Sequence, residues 1–246
     1  MFFECKSLIN LDLSNFNTQK VIDMSCMFMG CESLKNIHLS NINTQNVINM
    51  RGMFDGCKSL VYLDLSSFNT QEVIDMSSMF NECESLRSLN LSNFNTQNVE
   101  KMSRMFFRCK SLMSLNLSNF DTRNVKDMDY MFNKCYSLKN LDLLKFNTQN
   151  VESMSRMFNF CEGLKHLDLS NFNIQNVKDM SYMFYGCIFL IYLNLSNFNT
   201  ENDPDINGMF IGCENLKKEA LITKDSELVK LLISERKIPT SFDIHS

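Results

Sequence analysis

Hydrophobic and polar positions follow two different rhythms that recur along the chain. Leu89 and Leu91 flank the polar Asn90, and this alternation predicts a short strand with one buried side. A few residues later, apolar side chains in the segment 99–109 (V-x-x-M-x-x-M-F-x-x-C) fall three to four positions apart. That spacing predicts a short α- or 3₁₀-helix. The Asn-rich segment between them predicts a turn.

The two rhythms repeat with a period of 26 residues. Nine cysteines mark the period: Cys5, Cys31, Cys57, Cys83, Cys109, Cys135, Cys161, Cys187 and Cys213. Only Cys26 is out of phase. A unit of this length cannot enclose a core alone, so stacked units must share one. We therefore expect an α/β solenoid that is right-handed and resembles a leucine-rich repeat, with one short strand and one short helix per 26-residue coil.

The repeated phrase also resembles a narrower family. The L-x-x-L-x-L pattern, followed by F-N-T and V-x-x-M-S-x-M-F-x-x-C-x-S-L, is similar to the 26-residue repeat of BspA-like leucine-rich repeat surface proteins of bacteria. The resemblance extends from Met1 to roughly Leu221. It implies a non-enzymatic, lipoprotein-like or secreted surface protein, often considered an adhesin, that contacts a protein or cell-surface ligand. It does not identify that ligand.

Two domains are expected from the pattern. Residues 1–221 form a solenoid of about eight to nine repeats, and residues 222–246 form a capping helix and tail. The segment Asp225–Lys237 predicts the helix, with Asp225 or Ser226 as its N-cap and Pro239 after its end.

At the other end, residues 1–5 align with residues 27–31, so the chain starts in the middle of a coil. We expect earlier coils, and a signal peptide, to be encoded upstream.

The repeating side chains are interpreted as scaffold. The Leu, Phe and two Met columns predict a packed core, although thioethers could also hold a soft metal such as Cu(I). The phenylalanines expected in that core are Phe16, Phe68, Phe94, Phe120, Phe146, Phe172 and Phe198. One cysteine per coil does not match zinc-ligand spacing, and nine in-register cysteines cannot all pair, so buried free thiols are expected rather than disulfides. The Asn and Thr columns at each corner predict hydrogen bonds to turn backbone.

Composition and charge narrow the function further. The 246 residues are 44% hydrophobic and carry a formal net charge of −4, which provides no basic footprint for nucleic acid. No apolar run reaches the roughly 20 residues of a membrane span. The histidines number three, and no nucleophile elbow, zinc-protease, dinucleotide or phosphate-loop motif occurs. The sequence therefore predicts no catalytic, cofactor or metal site, and an Asp/Asn stripe is a weak match to a calcium cage.

A ligand is instead expected on the outward side of the strands, where the repeat varies. The candidate face comprises Asp12, His38, Tyr62, Asp64, Asn90, Asn116, Asp142, His166, Asp168, Tyr192 and Asn194. Its tyrosines are of a residue type enriched in binding hot spots. Three functions fit this pattern: a surface adhesin, an intracellular leucine-rich-repeat scaffold that keeps its thiols reduced, and a passive spacer.

Overall fold

Short parallel strands recur once per coil in the computed structural model, which describes residues 1–238. The strands are β1 Asn10–Asp12, β2 Asn36–His38, β3 Tyr62–Asp64, β4 Ser88–Asn90, β5 Ser114–Leu115, β6 Asn140–Leu141, β7 His166–Asp168, β8 Tyr192–Asn194 and β9 Leu221–Ile222. Partners lie 26 residues apart through β8, as in the pair Leu63 and Leu89. The chain is thus a β-solenoid of about eight coils, and the leucine-rich-repeat-like fold is confirmed.

The coils are joined differently on their two sides. On the strand side, the described residues form four separate sheets, β1–β2, β3–β4, β5–β6 and β7–β8–β9. On the other side, a bridge joins every coil to the next, from Asp23 and Asn49 through to Asp179 and Asp205. The second ladder is therefore continuous, whereas the strand side opens after every second coil until β7.

The helix expected in each coil does not form at the segment 99–109 or its equivalents, and this part of the prediction was wrong. The described residues before position 226 contain short 3₁₀-helices at Thr200–Asn202 and Lys218–Ala220 instead. The segment 99–109 runs as consecutive turns in which Met102 and Phe106 donate their N–H groups to carbonyls of the next coil, at 3.1 and 2.9 Å. These donors are consequently not available for α-helical bonds along the chain. Bonds between residues three apart do form, as from Met105 N–H to the Met102 carbonyl at 3.2 Å. They explain the three-residue apolar spacing.

Two residues in each of these turns have left-handed backbone conformation. They form one column that includes Gly52 and Ser78 (φ +59° and +57°), and another that includes Gly56 and Glu82 (φ +71° and +54°). Six of the seven glycines in the chain occupy these two columns. Most coils place a larger residue there, although this conformation is unfavourable for side chains with a Cβ.

Apolar side chains stack in columns through the interior. The rings of Phe28 and Phe54 lie 5.3 Å apart, and those of Phe54 and Phe80 lie 5.9 Å apart. This stack comes from the M-F pair of the repeat and continues to Phe210, while methionines fill the space beside it. The expected second Phe column is also buried, except Phe16. Phe16 is 40% exposed because it belongs to the first coil, where it packs on one side only.

Eight of the ten cysteines are buried and free, which confirms the predicted thiol ladder except at Cys5, the first of its nine members. Each buried thiol lies near the carbonyl of a phenylalanine in the preceding coil, as for Cys135 and Phe106 at 3.1 Å. Burial raises the pKa of Cys135 and of Cys187 to about 12. Cys5 is exposed and Cys26 is half-buried.

Buried threonines tie the corners of neighbouring coils together. The hydroxyl of Thr70 donates to the Asn95 carbonyl and accepts from the Asn95 N–H, both at 2.8 Å. The Asn95 side chain then accepts from the N–H of Gln97, which closes the turn. These bonds confirm the predicted role of the Asn and Thr columns.

One α-helix is present in the described residues, α1 at Ser226–Glu235. Asp225 caps it by accepting from the N–H groups of Glu227 and Leu228, as predicted. Leu228 and Leu232 are fully buried against the solenoid. The predicted stop at Pro239 lies outside the described residues.

Candidate ligand-binding face

The candidate residues lie on the strand side, outside the core. In β3, Tyr62 and Asp64 are exposed on either side of Leu63, which is only 2% exposed. The other strands follow the same order, and most candidate side chains are exposed. Asn90, Asp168, Tyr192 and Asn194 are half-buried. Asn116 and Asp142 come directly after β5 and β6 rather than within them.

The candidate residues that follow the central strand leucine, such as Asp64, also have a structural role that was not predicted from the sequence. Asp64 accepts from the N–H of Ser66 at 2.9 Å, and Asn90 accepts from the N–H of Ser92 at 3.1 Å. These bonds close an Asx turn after each strand. The Ser66 bonds also hold the pKa of Asp64 below its usual value. The same bond is made by Asp12, Asn116, Asp142, Asp168 and Asn194. The recurring polar residue two positions before a serine was the available signal.

The second outward column varies more from coil to coil. It contains Tyr62, which is 56% exposed and follows Val61, which is 46% exposed. Further along, the rings of His166 and Tyr192 lie 6.3 Å apart on neighbouring coils. The face thus carries apolar and aromatic groups on a polar background.

A shallow cavity of about 720 Å³ lies on this face between β2 and β3. It opens at one of the breaks between sheets, and it brings His38 of β2 together with Tyr62 and Asp64 of β3. Its lining also includes Lys35, Val61 and Ser67. His38 therefore shares one site with Tyr62 and Asp64, although it precedes them by 24 and 26 positions in the chain.

A cluster that the sequence reasoning did not identify lies on the turn side. The guanidinium of Arg156 lies 5.4 Å from the Tyr130 ring centre and 4.7 Å from that of Tyr182, and Arg104 lies 5.0 Å from Tyr130. All four residues have left-handed backbone conformation. Their 26-residue spacing in the sequence could have revealed this cluster. The stacked side chains stabilise the turn side of the solenoid through cation–π contacts.

Residues 1–238 contain neither a cluster of metal ligands nor a membrane-spanning helix. No three His, Cys, Asp or Glu side chains gather there in a way that could hold a metal ion. Nor does this part of the chain contain a helix with the length and apolar character needed to cross a membrane.

Comparison with protein families gives one match that spans most of the chain. The model described as "Mycoplasma protein of unknown function, DUF285" matches residues 1–115 and again residues 107–224. The chain belongs to this family. The two consecutive matches agree with the internal repeat, and the family description assigns no activity.

Solved structures support the fold. A leucine-rich repeat protein from Bacteroides ovatus is 19% identical, with a TM-score of 0.52 over 90% of this chain and 57% of that one. The present chain therefore spans little more than half of that relative. A leucine-rich cell surface protein from Faecalibacterium prausnitzii is 14% identical, covers 95% and 77%, and has a TM-score of 0.34. The fold assignment depends on the first. No curated protein matches.

Proposed function

We propose that this DUF285 protein is a non-enzymatic interaction module of the BspA-like adhesin type, which binds a protein or cell-surface ligand through its strand face. The observation that carries the proposal is the contrast between fixed and variable positions. Turn, core and corner residues repeat because each coil must fit the next, whereas the outward column holds Tyr62, Ser88, His166 and Tyr192 at equivalent places. A repeating scaffold with a variable face is the usual arrangement of solenoid binding proteins.

Capture of ligands from bacterial and host surface extracts tests this proposal. Wild-type protein and the double variant Tyr62→Ala/Tyr192→Ala are immobilised at equal density, and captured proteins are quantified. The control is Glu152→Ala/Lys178→Ala, which removes an exposed ion pair outside the candidate face. We expect specific ligands to be lost from the face variant only. Equal capture by all three proteins would contradict binding through this face, and absence of any specific ligand would favour a passive spacer.

A second candidate function is an intracellular leucine-rich-repeat scaffold, which the eight buried free thiols favour. Protease treatment of intact cells, followed by fractionation, separates the two. Digestion at the surface supports the adhesin proposal, whereas an intact chain in the cytosolic fraction supports the scaffold.

A further inference from the structure

Main-chain groups at the break between β2 and β3 lack hydrogen bonds that paired strands form. Within β3–β4, Leu65 N–H donates to the Asn90 carbonyl at 3.2 Å, and Arg87 N–H donates to the Val61 carbonyl at 2.9 Å. Among the described residues, no equivalent bond joins Leu39 to Asp64 or Val61 to Lys35. Main-chain donors and acceptors of β2 and β3 therefore face the cavity without the partners that their equivalents have in paired strands such as β3 and β4.

At the two other breaks, an asparagine side chain fills the opening. Asn119 donates to the carbonyls of Leu91 and Phe94 at 3.1 and 2.6 Å. Asn171 donates to Leu143 and Phe146 at 2.9 and 2.6 Å in the same way.

The equivalent position between β2 and β3 is Ser67. Its shorter side chain contacts the Leu39 carbonyl at 3.4 Å, close to the limit for a hydrogen bond. The opening at this break is thus left unfilled, and it is here that the 720 Å³ cavity lies.

The chemistry around the opening has two parts. The exposed ring of Tyr62 provides a flat apolar surface next to Val61. Around it, His38, Asp64 and the hydroxyl of Ser67 offer hydrogen-bond donors and acceptors together with the unpaired main-chain groups. A ligand that fits both parts has one apolar face and a rim of hydroxyl groups.

An extended peptide does not fit into the break. On the core side, the rings of Phe28 and Phe54 are 5.3 Å apart, so coils two and three remain one strand spacing from each other. An inserted strand would need about twice that distance. The ligand must therefore lie across the mouth of the opening rather than between the strands.

From these observations we propose that the β2–β3 opening is a carbohydrate-binding site, in which a pyranose ring stacks on Tyr62 and its hydroxyls bond to His38, Asp64 and the unpaired main chain. This inference extends the proposed function, because it assigns a ligand class to one part of the same face. Sugars present C–H groups on one face and hydroxyls at the edge, and the electron-rich face of an aromatic ring favours such C–H groups. Lys35 and Asp64 at the rim carry opposite charges that cancel, and this favours an uncharged sugar.

Saturation-transfer NMR tests the proposal with free N-acetylglucosamine, galactose, mannose and fucose, followed by a printed glycan array. Wild-type protein is expected to transfer saturation to at least one sugar. Tyr62→Ala should weaken that binding at least tenfold, whereas Glu152→Ala/Lys178→Ala, which removes an exposed ion pair outside the candidate face, should leave it unchanged.

Ser67→Asn provides the sharper variant, because it installs the side chain that fills the other two openings. It should weaken sugar binding about tenfold while thermal unfolding remains unchanged or shifts upward. Folded wild-type protein that binds no sugar in either assay would overturn the proposal. Sugar binding that survives both Tyr62→Ala and Ser67→Asn would also overturn it. If sugars fail but surface proteins are still captured in a Tyr62- and Tyr192-dependent manner, the carbohydrate site is wrong and the interaction module stands.

Discussion

The hydroxyl of Thr148 bridges both main-chain polar groups of Asn173 on the next coil, donating to its carbonyl at 2.9 Å and accepting from its N–H at 2.7 Å. Thr148 is 1% exposed, so water does not replace either bond. The same bridge recurs at each corner from Thr18 onward and is interrupted at Ile174, which occupies the Thr position of its coil. From Thr18 to Thr148, each threonine therefore joins two coils without any side-chain partner, whereas Thr200 donates to the Asp225 carboxylate.

Thr148→Val should destabilise the protein by about 1–3 kcal/mol, because it conserves shape but leaves the N–H and the carbonyl of the half-buried Asn173 without their partner. Urea denaturation followed by circular dichroism measures the change. Thr148→Ser keeps the hydroxyl and is expected to lose much less. Equal losses in the two variants would show that the methyl group, rather than the bridge, stabilises the corner.

The sequence predicts those parts of the fold whose interactions recur with the 26-residue repeat. The solenoid, the thiol ladder and the Asn and Thr corners follow from the 26-residue period, since a contact between equivalent residues of stacked coils must recur. The helix prediction failed because a three-residue spacing does not distinguish a 3₁₀-helix from turns. In this protein the donors of Met102 and Phe106 bond to the next coil, not along the chain.

The candidate site was predictable only in outline. Strand alternation places Tyr62 and Asp64 outward, as observed. It could not reveal that strands pair in separate sheets, nor that a cavity opens beside Ser67. The cavity forms because the Ser67 side chain is too short to reach across the break, and the pattern of polar and apolar residues does not encode side-chain length. The Asx turn made by Asp64 was also not predicted, because an outward polar residue fits both a ligand-binding role and a turn-closing role.

Opposite substitutions at two left-handed turn positions should change stability in opposite directions. Ser78 has φ +57° and Gly52, one coil earlier in the same column, has φ +59°. Ser78→Gly removes the unfavourable contact of the Cβ with the backbone and should stabilise the protein by up to about 1 kcal/mol. Gly52→Ala introduces that contact and should destabilise it by about 1–2 kcal/mol. Thermal unfolding of both variants measures these shifts, and changes of the same sign would contradict the backbone explanation.

Thiol reactivity should separate the cysteines into two classes. Under native conditions near pH 8, Ellman's reagent should react readily with Cys5 and more slowly with the half-buried Cys26. The other eight should react only after denaturation, because they are buried and because burial raises their pKa, to about 12 for Cys135. Mass spectrometry of the labelled peptides identifies each site. Rapid native labelling of the buried set would contradict the packing of the ladder.

The same burial predicts sensitivity to alkaline pH. Cys135 and Cys187 keep their protons to about pH 12 when folded, whereas unfolded thiols ionise near pH 9. Their contribution to stability is therefore complete below pH 9 and is lost as the pH rises toward 12. Each thiol should lower the free energy of unfolding by about 1.4 kcal/mol per pH unit within this window. Urea denaturation at pH 8 to 10.5 should give a shallower decline for Cys135→Ala/Cys187→Ala, and an identical decline would refute the assignment.

The end of the solenoid depends on one carboxylate of α1. Glu235 is 8% exposed and accepts from the N–H groups of Gly208 and Phe210, at 2.9 and 3.0 Å. In the preceding coil the equivalent donors, Tyr182 and Phe184, bond to main-chain carbonyls of the next coil. The Glu235 side chain thus takes the place of a further coil. Burial raises its pKa despite these two bonds.

Glu235→Ala should consequently leave two buried donors unpaired and destabilise the protein by about 2–4 kcal/mol. The loss should be local, so hydrogen–deuterium exchange is expected to accelerate at Gly208 and Phe210 more than at their equivalents in the central coils. Glu227→Ala is the matched control, because Glu227 lies in the same helix but forms an exposed ion pair with Lys230. Uniform acceleration along the whole solenoid, or an equal effect of the control, would show that Glu235 does not act as the terminal cap.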